Sequence, residues 1–154
     1  MKPKVVYVDM DDVLAEYSQS WELKRQQRPE QAYPQAELGF FSALLPKAGA
    51  IRVMHRLLSH PSFEPYIATA PSIYNPLCYM EKRLWIERHL GMVYVDRLII
   101  ISNKGLLHGD LLIDDYLEGK GQEFFKGEIW QFGSTKFPDW KSVEECLFGN
   151  EIKP

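Results

Sequence analysis

Two aspartates one residue apart, Asp9 and Asp11, close the apolar run Val5-Val6-Tyr7-Val8 near the N-terminus, with a third, Asp12, directly behind them. Other groups capable of chemistry also sit just after apolar runs. Thr69 and Ser72 follow 63–68, Ser102, Asn103 and Lys104 follow 97–101, and Asp114 and Asp115 follow 111–113. If these runs are parallel strands, their carboxyl ends share one edge of a sheet, which is where open α/β sheets bind ligands. Carboxylates gathered at one edge repel unless a cation lies between them. Donors that are all oxygen point to magnesium. Such an ion, with the Lys104 ammonium and the Thr69 hydroxyl, would present a site for a phosphoryl group.

The elements that must position these groups are legible in outline. The apolar runs lack polar alternation, as expected for strands buried on both faces of a parallel sheet. A fifth run covers 128–132. Helical spacing of Ile51, Met54 and Leu58 predicts a helix over 48–59, stopped by Pro61. Asn75, Pro76 and Gly91 bracket a second helix over 75–90, with Leu77, Met80, Leu84 and Trp85 as its expected core stripe. A last short helix is predicted over 139–147. Strands alternating with helices imply right-handed crossovers and an α/β fold, a three-layer Rossmann-like parallel sheet in a single domain over 1–154. The segment 14–47 is too long for a simple connection. It opens with a helical stretch over 16–28 and continues through Pro29, Pro34, Gly39 and Pro46. A small helical cap inserted after the first strand, lying over the sheet edge, is the expected arrangement.

Bulk properties narrow the partners. The chain has 154 residues, 45% of them hydrophobic, and a formal net charge of -3, which argues against a nucleic-acid polymer as ligand. No stretch approaches the length of a membrane span, and no signal peptide is evident, so a cytoplasmic location is the default. Cys78 and Cys146, the two cysteines, stand far apart and read as reduced, partly buried thiols. The histidines, at 55, 60, 89 and 108, show no metal-like grouping and read as core or surface residues. The sequence leaves the oligomeric state open, a homodimer included.

The run Asp9-Met10-Asp11-Asp12-Val13, with Thr69, Lys104 and Asp114-Asp115 following in order, resembles the motifs of the haloacid dehalogenase (HAD) superfamily over residues 4 to 116. Within it, Asp9-Met10-Asp11-x-Val13-Leu14-Ala15 with Tyr17, Thr69-x-Pro71, and Asp110-Leu111-Leu112-Ile113-Asp114-Asp115 are most similar to the 5′(3′)-deoxyribonucleotidases. Asp12 stands where that family usually has glycine. The resemblance implies a HAD-type sheet and a Mg2+-dependent phosphatase acting on a small-molecule phosphomonoester, a deoxynucleoside monophosphate above all. It implies Asp9 as the nucleophile forming an aspartyl-phosphate. Asp11 becomes the general acid/base, Thr69 and Lys104 bind the phosphoryl group, and the metal is held by Asp9, the main-chain carbonyl of Asp11 and Asp114. Another HAD phosphatase substrate, or a non-catalytic magnesium-binding phosphoacceptor, are the competing readings.

Asp110 also fits a motif variant in which it would hold the metal. The strand over 111–113 puts it at the far end of the sheet, which favours Asp114 as ligand and Asp110 as a structural residue. Asp115, facing the other way by strand alternation, is expected to orient water or Lys104 from behind the ligands. Tyr17, Phe40 and Phe41 are candidates for the substrate pocket. The cap aromatics Trp21, Phe40 and Phe41 would either stack on a base or pack the cap onto the body.

Overall fold

The structure is a computed structural model, and it describes residues 2–149. Five strands, β1 (Lys4–Val8), β2 (Phe63–Thr69), β3 (Leu98–Ile100), β4 (Leu111–Asp114) and β5 (Glu128–Gln131), form one sheet in the order β3-β2-β1-β4-β5. Every pairing is parallel, with Val8 beside Ile67 on one side and Ile113 on the other. The sequence expectation of an α/β parallel sheet is met. β1 lies at its centre because Val6 and Val8 are apolar enough to be buried from both faces. The chain runs outward from β1 to β2 and β3, then returns to the opposite flank for β4. The crevice between the ends of β1 and β4 is therefore the topological switch point.

The helices are α1 (Tyr17–Gln27), α2 (Ala50–Ser59), α3 (Cys78–Leu90), the single turn α4 (Met92–Val95) and α5 (Trp140–Phe148). Asp139 begins α5 with a capping box, its carboxylate accepting the Ser142 N–H at 2.9 Å. Gly91 ends α3 at a positive φ of 84°, a backbone setting natural to glycine. α2 buries Ala50, Val53, Met54 and Leu57.

In α3 the predicted stripe is wrong except for Trp85. Leu77, Met80 and Leu84 are exposed, while Cys78, Glu81, Lys82, Trp85, Ile86 and Leu90 face inward. The helix is rotated because its inner face meets polar groups of the sheet edge and of the 14–47 segment, and these need charged partners. Cys78 is buried as expected, whereas Cys146 is exposed on α5.

The 14–47 segment leaves and returns at one neck. Glu16 N–H donates to the Leu45 carbonyl at 2.8 Å, Lys47 N–H to the Leu14 carbonyl at 2.8 Å, and Lys47 Nζ pairs with Glu16 at 2.9 Å. Two indoles tie this region down by their polar ends. Trp85 Nε1 donates to the Leu44 carbonyl at 2.8 Å, and Trp140 Nε1 to the Val13 carbonyl at 2.7 Å. Each buried N–H thus has a partner, so the aromatic bulk is buried without an unsatisfied donor.

Candidate active site

The end of β1 delivers Asp9, whose N–H is held by the Ile113 carbonyl at 2.9 Å. The chain then folds tightly: the Leu14 and Ala15 N–H groups both donate to the Met10 carbonyl. Asp12 takes a φ of 59°, the left-handed region that aspartate tolerates better than most residues. Its carboxylate accepts from the Ser18 N–H at 2.8 Å and from the Ser18 hydroxyl, fixing the start of α1. A residue that looked out of place in the sequence thus joins the loop to the helix.

Lys104, 1% exposed, enters from a single 3-10 turn after β3, and Asn103 caps that turn by accepting the Gly105 N–H at 3.0 Å. Lys104 Nζ lies 2.8 Å from Asp9 Oδ1 and 2.5 Å from Asp114 Oδ2. Burial works against its charge, but Asp9 and Asp114 outweigh this and hold the ammonium above the ordinary lysine value. Asp114 ends β4 fully buried. Its oxygens also accept from the Tyr116 N–H at 3.0 Å and from Gln122 Nε2 at 3.3 Å.

Asp115 is the surprise. Strand alternation was expected to turn it away, yet carboxylate oxygens of Asp9, Asp114 and Asp115 all lie within 4.8 Å of one another. The reason is local. β4 ends at Asp114, so Asp115 has left the strand and alternation no longer governs it. Burial, reinforced by the neighbouring carboxylates, pushes Asp9 up to about 6 and Asp115 up to about 8; for Asp9, Lys104 opposes the rise. Asp110, by contrast, sits at the other end of the sheet and accepts the Val5 N–H at 2.8 Å, in keeping with a structural residue.

Sequence reasoning missed three groups. Lys82, fully buried on α3, donates to Thr69 Oγ1 at 2.7 Å, to Asp11 Oδ2 at 2.9 Å and to the Ala70 carbonyl at 2.6 Å. Gln122 supports Asp114. Lys120 lines the site from the loop after β4, and its carbonyl accepts the Lys104 N–H at 2.6 Å. Lys82 did leave a signal: it falls on the helical stripe Cys78–Trp85–Ile86–Leu90 and interrupts it with a charge.

Two cavities adjoin. One, of about 190 Å³, is lined by Asp9, Asp11, Lys104, Asp114 and Asp115. The other, of about 280 Å³, is lined by Tyr17, Phe41, Gln35, Ser72 and Tyr74. Asp11, Tyr17, Ala70 and Lys120 border both. Phe41 packs against Tyr17 with ring centroids 6.0 Å apart, and Phe40 lies edge-on to both in the core, away from the lining of this cavity. Burial, with Asp11 and Asp12 adding to it, pushes the Tyr17 hydroxyl up to about 12, so it keeps its proton at neutral pH.

A parallel sheet whose central strand ends in paired aspartates, with a lysine-bridged acidic cluster across the switch point, defines a protein of the haloacid dehalogenase superfamily. Residues 18–127 match the family described as 5′ nucleotidase, deoxy (pyrimidine), cytosolic type C protein, and the chain belongs to this nucleotidase family. It is 37% identical over 146 residues to a provisionally named 5′(3′)-deoxyribonucleotidase of Vibrio phage KVP40, an alignment covering 93% of this chain and 84% of the relative. The human 5′(3′)-deoxyribonucleotidase, cytosolic type, is 39% identical over 85 residues, 55% of this chain and 42% of that protein. A provisionally named 5′(3′)-deoxyribonucleotidase of Bordetella bronchiseptica is 43% identical over 77 residues, 50% of this chain and 41% of its own length. The chain thus spans about two-fifths of the human and Bordetella proteins.

Proposed function

We propose that this chain hydrolyses phosphate from deoxyribonucleoside monophosphates through an aspartyl-phosphate on Asp9, with Mg2+ as cofactor. The observation that carries the reading is the shared border of the two cavities. An acidic chamber sized for a phosphoryl group opens, past Asp11, into an aromatic one sized for a leaving group. Asp9 attacks the phosphorus, and Asp11, placed between the chambers, gives its proton to the departing oxygen and later takes one from water. Lys104 faces both the nucleophile and the incoming charge.

The donor set fits a divalent ion. Three carboxylates converge around the Lys104 ammonium, and the raised proton affinity of two of them, Asp9 and Asp115, fits a site that tolerates its own negative charge poorly. Asp9, the Asp11 carbonyl and Asp114 would hold the ion. Asp115 stands close enough to share that duty, since both Asp114 oxygens already accept hydrogen bonds. When bound, the ion supplies positive charge against the phosphoryl oxygens and lowers repulsion between them and Asp9. The 14–47 segment acts as the cap over the leaving-group chamber. A small soluble substrate and a cytoplasmic setting accompany this reading. Among the described residues no helix is long and apolar enough to cross a membrane.

Phosphate release measured across deoxynucleotides, ribonucleotides, sugar phosphates and an aryl phosphate, with and without magnesium, tests the reading. Highest kcat/KM on a deoxynucleotide, and loss of activity in chelator, is the expected result. A strong preference for sugar phosphates would remove the nucleotidase assignment while leaving the chemistry intact.

Gln35 gives a finer check. Trp21 Nε1 donates to Gln35 Oε1 at 2.9 Å, which fixes the side-chain amide and leaves its NH2 as a donor at the larger cavity. A base carbonyl is the natural acceptor. Gln35→Leu is expected to raise KM for a nucleotide about threefold to tenfold, the worth of one such hydrogen bond, with kcat nearly unchanged. An aryl phosphate, having no base, should be indifferent to the change.

A further inference from the structure

Lys82 is a fully buried ammonium outside the phosphoryl chamber, and each of its three donors has a partner. They are Asp11 Oδ2 at 2.9 Å, Thr69 Oγ1 at 2.7 Å and the Ala70 carbonyl at 2.6 Å. The Phe41 ring closes over it with its centroid 5.0 Å from Nζ. Such a group cannot wander: any rotation breaks a hydrogen bond that water is not there to replace.

Asp11 has no comparable support from elsewhere. Its other oxygen, Oδ1, is buried and has no hydrogen-bond partner among the described residues. With Oδ1 shielded from solvent, a leaving oxygen meets the carboxylate at Oδ2, the atom Lys82 holds and one that has a second lone pair to offer. Thr69 is aligned by the same ammonium. Since its hydroxyl oxygen accepts from Lys82, its proton is left to be donated elsewhere.

The preceding residue anchors the other side. The Glu81 carboxylate accepts from the Gly39 N–H, the Phe41 N–H at 3.2 Å and Asn75 Nδ2 at 3.2 Å. One turn of α3 therefore clamps the 14–47 segment with Glu81 and the proton-carrying carboxylate with Lys82.

We propose that Lys82 is the positioning residue of the general acid, holding Asp11 Oδ2 at the junction of the two cavities. The proposal rests on the phosphatase reading and goes beyond it. Its specific consequence lies in the leaving group. An alkoxide, as from a nucleoside, must receive a proton as it departs, whereas an activated aryl phosphate releases a stable phenolate without one. A displaced Asp11 harms only the first.

The experiment compares kcat/KM for a deoxynucleoside monophosphate and for p-nitrophenyl phosphate in wild type, Lys82→Met, Lys82→Arg and Glu81→Gln. Because kcat/KM reports steps only through departure of the leaving group, later hydrolysis of the aspartyl-phosphate does not enter. The ratio of the two values is also independent of how much protein is folded. Lys82→Met is expected to lower the nucleotide value by about 100-fold and the aryl value by less than about threefold. Lys82→Arg should recover part of the ratio. Glu81→Gln, equally buried on the same helix, should lower thermal stability while leaving the ratio unchanged. If Lys82→Met does not fold, Lys82→Gln, which keeps an amide donor, supplies the same ratio. Equal losses on both substrates, or none, would show Lys82 to be structural only and overturn the proposal. A wild type inactive on both substrates would instead remove the phosphatase reading, and this proposal with it.

Discussion

Asp9→Asn is expected to lower kcat by about a thousandfold or more while the protein remains folded. The amide keeps the shape of the side chain but cannot attack phosphorus, and the neighbouring Asp114 is already held by Lys104, Tyr116 and Gln122. The stability of the variant carries further information. Asp9 binds its proton up to about pH 6 in the fold, above the range of a free carboxylate, even after the attraction of Lys104. A carboxylate whose folded pKa is raised contributes stability at low pH and loses it as pH rises through the folded value. Metal-free wild type therefore carries a cost at pH 8 that Asp9→Asn lacks. The variant should melt above the metal-free wild type at pH 8, and the gap should close towards pH 4. Magnesium should reverse the order by stabilising wild type more. Turnover by Asp9→Asn at the wild-type rate would show that the nucleophile lies elsewhere.

Most of this site was legible because its residues sit at strand ends, where a change from apolar to polar type marks a position in space. Asp9, Thr69, Lys104 and Asp114 could be placed without any side-chain geometry, since parallel strands carry their carboxyl ends to one edge. The residues that escaped are those whose positions depend on packing. Lys82 lies in Glu81-Lys82-Arg83, which reads like a solvated helix face. It is buried only because α3 turns its Glu81 and Lys82 side, rather than Leu77 and Leu84, towards the sheet edge. Asp115 escapes strand alternation because it lies one residue past the end of β4. The cap aromatics resolved unevenly. Phe41 lines a cavity and Phe40 fills the core, a division set by how α1 and the neck at 14–16 and 45–47 pack.

Lys104→Met is expected to produce the other large effect, on stability and catalysis together. The methionine fills the same volume, but Asp9, Asp114 and Asp115 are left facing one another without the ammonium between them. Removing one partner of a buried pair costs about 3–5 kcal/mol when the remaining charge stays unpaired. Here the remaining carboxylates can escape part of that cost by binding protons, so the loss depends on pH in a defined direction. Lys104 itself is held above its ordinary value, so its contribution is fully present below the usual lysine range and cannot produce a change near neutrality. The carboxylates can. Their folded values, already raised to about 6 for Asp9 and about 8 for Asp115, rise further without the lysine. Stability is then retained where they are protonated and lost as pH climbs through those values. The melting temperature of metal-free Lys104→Met should thus fall only slightly below wild type at pH 5 and much further at pH 8. Magnesium should recover more of the loss in the variant than it adds to wild type. Activity follows a different course, because saturating magnesium replaces the charge but not the donor aimed at the phosphoryl oxygens, and kcat/KM should remain lower by about 100-fold. A drop in melting temperature equal at both pH values would mean that Lys104 serves the site through its packing, and that the acidic cluster does not depend on its charge.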